Sequence, residues 1–139
     1  MKVKDAMHKG TLCLEPGTPV KEIAKRMRDS DVGAIPIRAG RKLVGIVTDR
    51  DIACRAVTTD GEISKLAAQD VMTKTVLHCA PEDDLASAIK TMETKKVRRL
   101  PVVDEHKEIV GMLSLGDISH NLGKELSGEV LRAVSAHHR

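Results

Sequence analysis

The strongest constraint in this sequence is that it is written twice. Displaced by 65 positions, Asp5-Ala6-Met7 falls on Asp70-Val71-Met72, Lys9 on Lys74, Leu12 on Leu77 and Pro16 on Pro81. Lys25 falls on Lys90, Met27 on Met92, Val32 on Val97 and Pro36 on Pro101. One extra residue near His106 raises the displacement to 66. Val44-Gly45 then meets Val110-Gly111, Thr48 meets Ser114, and Asp51-Ile52 meets Asp117-Ile118. Chance does not preserve that order, so the chain is a duplication, and its fold is built from two similar units.

Each copy predicts the order β-α-β-β-α. An apolar stretch opens it (Leu12-Cys13-Leu14; Val76-Leu77-His78-Cys79) and reads as a strand. Pro16-Gly17-Thr18-Pro19 and Pro81-Glu82-Asp83-Asp84 suit a turn and a helix start, with Thr18 as N-cap and Pro19 at the first helical position. Val20, Ile23, Ala24 and Met27, and likewise Leu85, Ala88, Ile89 and Met92, recur at helical spacing. Two β-type runs follow in each copy: Ala34–Ile37 and Leu43–Val47, then Leu100–Val103 and Ile109–Leu113. A short helix closes each copy, near 49–57 and 115–121. The repeats therefore span 1–57 and 68–122, with a linker at 58–67 holding a helical turn at Ile63–Ala67. An amphipathic helix and tail occupy 123–139, with Leu126, Val130, Leu131 and Val134 on one face.

Phe, Tyr and Trp are absent. No base can stack on an aromatic ring, which removes the platforms of most single-strand nucleic-acid binders. A half of ~55 residues without aromatics buries too little surface alone. The expected fold is thus α/β (α+β), two repeats packed through a pseudo-twofold axis with a short C-terminal helix. The net charge of +3 is too mild to imply nucleic acid or membrane. The three cysteines (Cys13, Cys54, Cys79) are scattered, and the N-terminus has no apolar leader; a cytoplasmic setting is the expectation.

Thr48-x-x-Asp51 and Ser114-x-x-Asp117 each follow a strand and open a helix. A hydroxyl at the N-cap with an acid at N3 makes a capping box. A carboxylate there can also accept bonds from both vicinal hydroxyls of a ribose, with the helix N-terminus holding a sugar or phosphate oxygen. The two roles are compatible.

Taken in order, the D-x-M openings, Gly33-Ala34-Ile35-Pro36-Ile37, Arg98-Arg99-Leu100-Pro101-Val102 and the closing runs Gly45–Ile52 and Gly111–Ile118 resemble a tandem pair of cystathionine-β-synthase (CBS) domains. This is the Bateman module, and the resemblance covers about 3–121. It is to stand-alone bacterial pairs rather than to pairs appended to channels or dehydrogenases. It implies that Asp51 and Asp117 bind ribose, and that Thr48 and Ser114 sit by the ribose–phosphate edge. Adenine would lie against the opening strand and the G-A-x-P segment of the opposite repeat. The Asp117 pocket would then draw on Thr11, Leu12, Ala34, Ile35 and Pro36. The Asp51 pocket would draw on Val76, Leu77, Arg99, Leu100 and Pro101. For each apolar residue here, plain core packing is the competing reading.

The basic run Lys95-Lys96-Val97-Arg98-Arg99 has as its counterpart in the other copy Ser30-Asp31-Val32-Gly33-Ala34, with no positive charge. Charge runs usually mark a solvated face, but this one leads into a pocket-lining strand. Basic residues at this point in nucleotide-sensing relatives hold phosphates, a task that suits the bidentate guanidinium. Arg98 or Arg99 is therefore expected to serve the Asp117 pocket, and the Asp51 pocket has only Arg50 to offer. The two pockets should differ in affinity or in phosphate preference.

Other candidates are weaker. Cys13 and Cys79 read as small buried hydrophobes, His78 and His106 are isolated, and His137-His138 lies in a tail. No nucleophile–base pair, H-E-x-x-H or P-loop appears, so the chain reads as a non-enzyme. The ligand expected is an adenosine nucleotide (AMP, ADP, ATP or NAD), with no metal beyond one accompanying a phosphate. The resemblance implies a disc-like homodimer, to which the apolar helix faces with Met27 and Met92 would contribute. Such a sensor of energy or redox state would modulate a partner protein as yet unidentified. The alternative is a structural or protein-interaction dimer module with vestigial pockets. A nucleic-acid regulator ranks below both, and neither nucleic acid nor membrane is expected as a partner.

Overall fold

Asp5 and Asp70, the acids of the two D-x-M openings, each start a short helix. The Asp5 carboxylate accepts the Lys2 amide at 2.9 Å and the Asp70 carboxylate accepts the Ala67 amide at 2.8 Å. These bonds satisfy donors that the first turn of a helix leaves without partners. They open α1 (Val3–Ala6) and α4 (Ala68–Val71). The computed structural model describes residues 1–121; the helix expected over 123–139 lies outside the described residues.

Of the predicted apolar stripes, α2 (Val20–Ser30) buries Val20, Ile23 and Met27 but leaves Ala24 exposed, and α5 (Leu85–Lys95) buries Leu85, Ala88, Ile89 and Met92. Each ends on a left-handed residue at the equivalent position, Asp31 (φ 52°) and Lys96 (φ 57°). The next amides bond back to Met27 O and Met92 O, which closes the helix ends. The start of α2 differs from expectation. Pro19, not Thr18, is its N-cap, because the Thr18 hydroxyl is engaged in accepting the Glu15 amide at 3.2 Å. Asp83 closes the equivalent turn in the second copy, accepting the Ala80 amide at 2.9 Å.

Two antiparallel hairpins follow the helices: β1 (Ala34–Ala39) with β2 (Lys42–Thr48), and β3 (Arg99–Val103) with β4 (Ile109–Ser114). The predicted opening strands shrink to one paired residue each. Leu14 adds to the outer edge of β1 beside Ile37, and Cys79 adds to β3 beside Val102, both parallel. On the opposite edges, Thr73 pairs with Ile46 of β2 and His8 pairs with Met112 of β4. The closing helices begin directly after the hairpins. α3 (Asp49–Asp51) widens into a π-helical stretch at Ile52–Ala56, and α6 covers Leu115–Asn121. The linker carries a 3₁₀ turn at Ile63–Lys65, and Leu66 O accepts the Val20 amide at 3.0 Å.

In space the chain forms two compact units, Leu12–Val76 and Met1–Thr11 with the chain from Leu77 onward. Each unit thus combines the body of one repeat with the opening segment of the other. In the Leu12–Val76 unit, Val20, Ile23 and Met27 of α2 pack with Ile35, Ile37 and Val47, and with Ala68 and Val71 of α4. In the other, Leu85, Ala88, Ile89 and Met92 of α5 pack with Leu100, Val102, Leu113 and Ile118, and with Val3 and Ala6 of α1. Met27 and Met92, expected on an outward dimer face, are therefore core residues (8% and 0% exposed). Their long, flexible thioethers suit a core that has no aromatic side chains.

The exchange of openings has a visible steric basis. A Cβ on Gly45 would stand 2.5 Å from Met72 Sδ and 3.1 Å from Thr73 O. A Cβ on Gly111 would stand 2.8 Å from both Met7 Sδ and His8 O. The methionine of each D-x-M segment lies over a strand glycine that offers no Cβ to resist it. Among the described residues, no helix is long and apolar enough to cross a membrane.

Candidate functional site

Both signature acids sit as capping boxes require. Asp51 Oδ2 accepts the Thr48 amide at 2.9 Å, and Thr48 Oγ1 accepts the Asp51 amide at 3.1 Å. Asp117 Oδ2 accepts the Ser114 amide at 2.8 Å and the Ser114 hydroxyl at 2.9 Å, and Ser114 Oγ accepts the Asp117 amide at 3.2 Å. Capping therefore accounts for the residue types, as it does at Asp5 and Asp70. What distinguishes Asp51 and Asp117 is a further side chain brought by the exchanged opening segment. Thr73 Oγ1 donates to Asp51 Oδ1 at 3.4 Å, and His8 Nδ1 lies 3.0 Å from Asp117 Oδ2. The carboxylates are 11% and 19% exposed, low for acids that serve only as caps.

Cations differ around the two acids. Arg99 pairs directly across from Ser114, and Arg98 O accepts the Leu115 amide at 3.1 Å. Both arginines are exposed, and neither guanidinium is bonded to another described residue. In the other unit Ala34 stands opposite Thr48, and Gly33 O accepts the Asp49 amide at 2.9 Å. A Cβ on Gly33 would stand 3.1 Å from the Asp49 carboxylate, so this position carries an acid where the other unit carries arginines. The cation closest to Asp51 is Arg55, with Nε 4.0 Å from Oδ1 and Nη1 donating to Val71 O and Met72 O, each at 3.1 Å. Arg50 is exposed and its amide donates to Asp49 at 2.8 Å.

The remaining predicted residues divide between the units. Leu12, Ala34, Ile35, Pro36 and Val76 belong with Thr48, Arg50 and Asp51; Thr11, Leu77, Arg98, Arg99, Leu100 and Pro101 belong with Ser114 and Asp117. Ile35 and Leu100 have no exposed surface, which is the plain core-packing reading. Thr11 Oγ1 is buried without a hydrogen-bond partner, an arrangement that costs about 1–3 kcal/mol and calls for a missing acceptor or donor. His8, Thr73 and Arg55 were missed from sequence. The signal for the first two was their position directly after the two D-x-M methionines.

The cysteines are free, with Cys13 half-buried, Cys54 exposed and Cys79 buried. Burial, and then the Asp83 charge, push the Cys79 thiol up to about 12; burial also raises Cys13, against the pull of Arg38. Burial of this kind disfavours the thiolate, the reactive form of a cysteine. Glu82 bonds Lys2 and Lys4 at 2.7 and 2.8 Å, and these bonds draw its carboxyl down to about 2. No group of three or more metal-ligating side chains occurs among the described residues.

The family model for the CBS domain matches residues 3–56 and 68–124. The CBS domain-containing protein YhcV of Bacillus subtilis (strain 168) is 34% identical over 134 residues, covering 96% of this chain and 94% of that protein. Among solved structures, Hypoxic Response Protein I with two coordinated zinc ions superposes with a TM-score of 0.79 at 27% identity, over 88% of this chain and 100% of that one. The CBS domain pair of protein MJ0100, in complex with 5'-methylthioadenosine and S-adenosyl-L-methionine, gives a TM-score of 0.76 at 26% identity, over 90% of this chain and 98% of that one.

Proposed function

We propose that this chain, which belongs to the CBS domain family, is a non-catalytic regulatory module that binds adenosine nucleotides. Ligand occupancy would report energy or redox state to a partner protein, and the module would work as a homodimer. The observation that carries the reading is the pair of recessed signature acids, each met by a side chain from the exchanged opening segment: Asp51 by Thr73 and Asp117 by His8. A carboxylate held in that way can receive a ribose diol without moving. The adenosine ligands of protein MJ0100 support the ligand class. In the Asp117 unit the unbonded Arg98 and Arg99 supply phosphate contacts, and Thr11 supplies a hydroxyl in want of a partner. In the Asp51 unit Thr48, Arg50, Leu12, Ala34, Pro36 and Val76 are the residues at hand. Binding would act on the partner through a change in the population of module conformations.

Thermal melting with AMP, ADP, ATP, NAD, adenosine and S-adenosylmethionine tests the proposal. A ligand at a hundred times its Kd stabilises the folded chain by about 2.7 kcal/mol. At least one adenosine compound should raise Tm, and none doing so at millimolar concentration would overturn the reading in favour of an interaction module.

A further inference from the structure

The two oxygens of the Asp51 carboxylate have different duties. Oδ2 accepts the Thr48 amide at 2.9 Å and closes the capping box. Oδ1 meets Thr73 Oγ1 at 3.4 Å and Arg55 Nε at 4.0 Å. A ribose diol received at this acid therefore depends on how Oδ1 and Thr73 stand to one another. Their bond is long for a hydroxyl donor, so a small shift of the opening segment breaks it.

Two sets of bonds fix that segment. Thr73 exchanges backbone hydrogen bonds with Ile46, through its amide at 2.9 Å and its oxygen at 3.0 Å, which ties it to β2. The second set comes from Arg55, whose Nη1 donates to Val71 O and to Met72 O, each at 3.1 Å. These carbonyls close α4, where a helix leaves its acceptors without internal partners. Arg55 belongs to the π-helical stretch Ile52–Ala56 and stands at i+4 from Asp51. One guanidinium thus spans the acid and the two residues that precede Thr73. The displacement of 66 puts Asn121 at the equivalent place, so the second copy carries no such fork there.

We infer that Arg55 is a positioning residue for the Asp51 site: it holds the exchanged opening segment so that Thr73 and Asp51 Oδ1 meet a ribose together. The inference rests on the proposed function above. Arg55 acts through Thr73 and Asp51 and has no need to touch the ligand. The planar fork of a guanidinium can serve the carbonyls and the carboxylate at once, whereas an ammonium is a point charge that serves one of them.

Titration of the full chain with adenosine, followed by amide nuclear magnetic resonance, provides the test. Adenosine is neutral, so a changed charge at position 55 cannot act on a phosphate. The Thr73 amide reads the Kd of the Asp51 site, and the His8 amide reads that of the Asp117 site. Arg55→Gln should raise the Kd read at Thr73 about tenfold, the worth of one hydrogen bond from a charged group, and leave the Kd read at His8 unchanged. Arg55→Lys, the milder change for the fold, should raise it about threefold, since part of the contact survives. Thr73→Val removes the hydroxyl and keeps the backbone pairing. In that background Arg55→Gln should add less than about twofold, because the group it positions is gone. A Kd at Thr73 that neither Arg55 variant moves, an equal rise at both amides, or the full loss repeated on top of Thr73→Val overturns the role of Arg55 and leaves nucleotide binding standing. No response of the Thr73 amide in wild type overturns the underlying reading of this site as well.

Discussion

Adding one methyl group at Gly111 should cost more than adding it at Gly45, although the nominal contact at Gly45 is closer. At Gly45 the new Cβ meets Met72 Sδ at 2.5 Å and Met72 Cγ at 2.9 Å. That is a flexible side chain, and the backbone oxygen of Thr73 stands off at 3.1 Å. At Gly111 the first obstacle is His8 O at 2.8 Å. This carbonyl accepts the Met112 amide at 3.0 Å, and the His8 amide donates to Met112 O at 3.0 Å. Relief therefore needs the whole pairing to move, and with it the imidazole beside Asp117. Overpacking in a tight site costs about 1–3 kcal/mol; Gly45→Ala belongs near the lower figure and Gly111→Ala near the upper. At about 4 °C per kcal/mol for a domain of this size, Tm should fall by about 4 °C and about 12 °C. Gly17→Ala is the control, with nothing within 4 Å of its Cβ, and should be neutral. Thermal melting monitored by far-ultraviolet circular dichroism reads all three without needing an aromatic probe. If Gly111→Ala melts at or above Gly45→Ala, the claim that a backbone oxygen, rather than a thioether, limits the fit is wrong.

Three further outcomes follow from the same structure. Asp5→Ala and Asp70→Ala lose the same kind of cap as Asp51→Ala and Asp117→Ala, roughly 0.5–2 kcal/mol each. Only the last two should also lose the Tm increment produced by nucleotide, and equal losses across all four would reduce the signature acids to caps. Iodoacetamide at pH 8 with mass-spectrometric readout should label exposed Cys54 first and Cys79, whose thiol is pushed up to about 12, last; Cys79 labelled as fast as Cys54 would contradict its burial. Glu82 is held down to about 2 by Lys2 and Lys4. A depressed carboxyl contributes stability that is present above its ordinary range near 4.5 and is lost as pH falls toward 2. Wild type should therefore lead Glu82→Gln above that range and converge with it at low pH. The lead should be small and should shrink in high salt, because the group is on the surface.

The hairpins and helices were legible because their periodicity is local: β1 to β4 and α2 and α5 fall where the apolar spacing places them. The capping boxes were legible for the same reason, since Thr48 and Asp51 need only each other. The opening strands were not. Leu12-Cys13-Leu14 is apolar enough for a strand, yet only Leu14 finds a paired neighbour. Thr18 was misread because a hydroxyl can cap a helix or close the turn before it, and Asp83 in the same turn of the other copy was the clue. Met27 and Met92 were assigned outward because a helical stripe does not say which side is covered. The exposed face of α2 carries Lys21, Glu22, Lys25 and Arg28, so the apolar stripe goes inward. The exchange of openings depends on pairings of Thr73 with Ile46 and of His8 with Met112, 27 and 104 residues apart in sequence, which no local pattern records.

Comparing the two copies separates scaffold from site. Residues identical in both have structural duties now visible: Asp5 and Asp70 cap, Met7 and Met72 cover Gly111 and Gly45, and Asp51 and Asp117 tie their helices to the strands before them. None of these could change in one copy without loss of fit there. The neighbours of the signature acids are under no such demand, since His8 and Thr73 make equivalent backbone pairings whatever their side chains. There the copies diverge in charge, Arg98 against Gly33, Arg99 against Ala34, Leu115 against Asp49 and His8 against Thr73. Divergence of that kind is what two unlike ligands, or one ligand read at two affinities, would require. Exchanging Arg98 and Arg99 for Gly and Ala should therefore leave the melt of the unliganded chain within about 0.5 kcal/mol of wild type, as exposed substitutions do, while AMP binding weakens at the Asp117 site alone. If the exchange instead unfolds the chain, those positions belong to the scaffold after all.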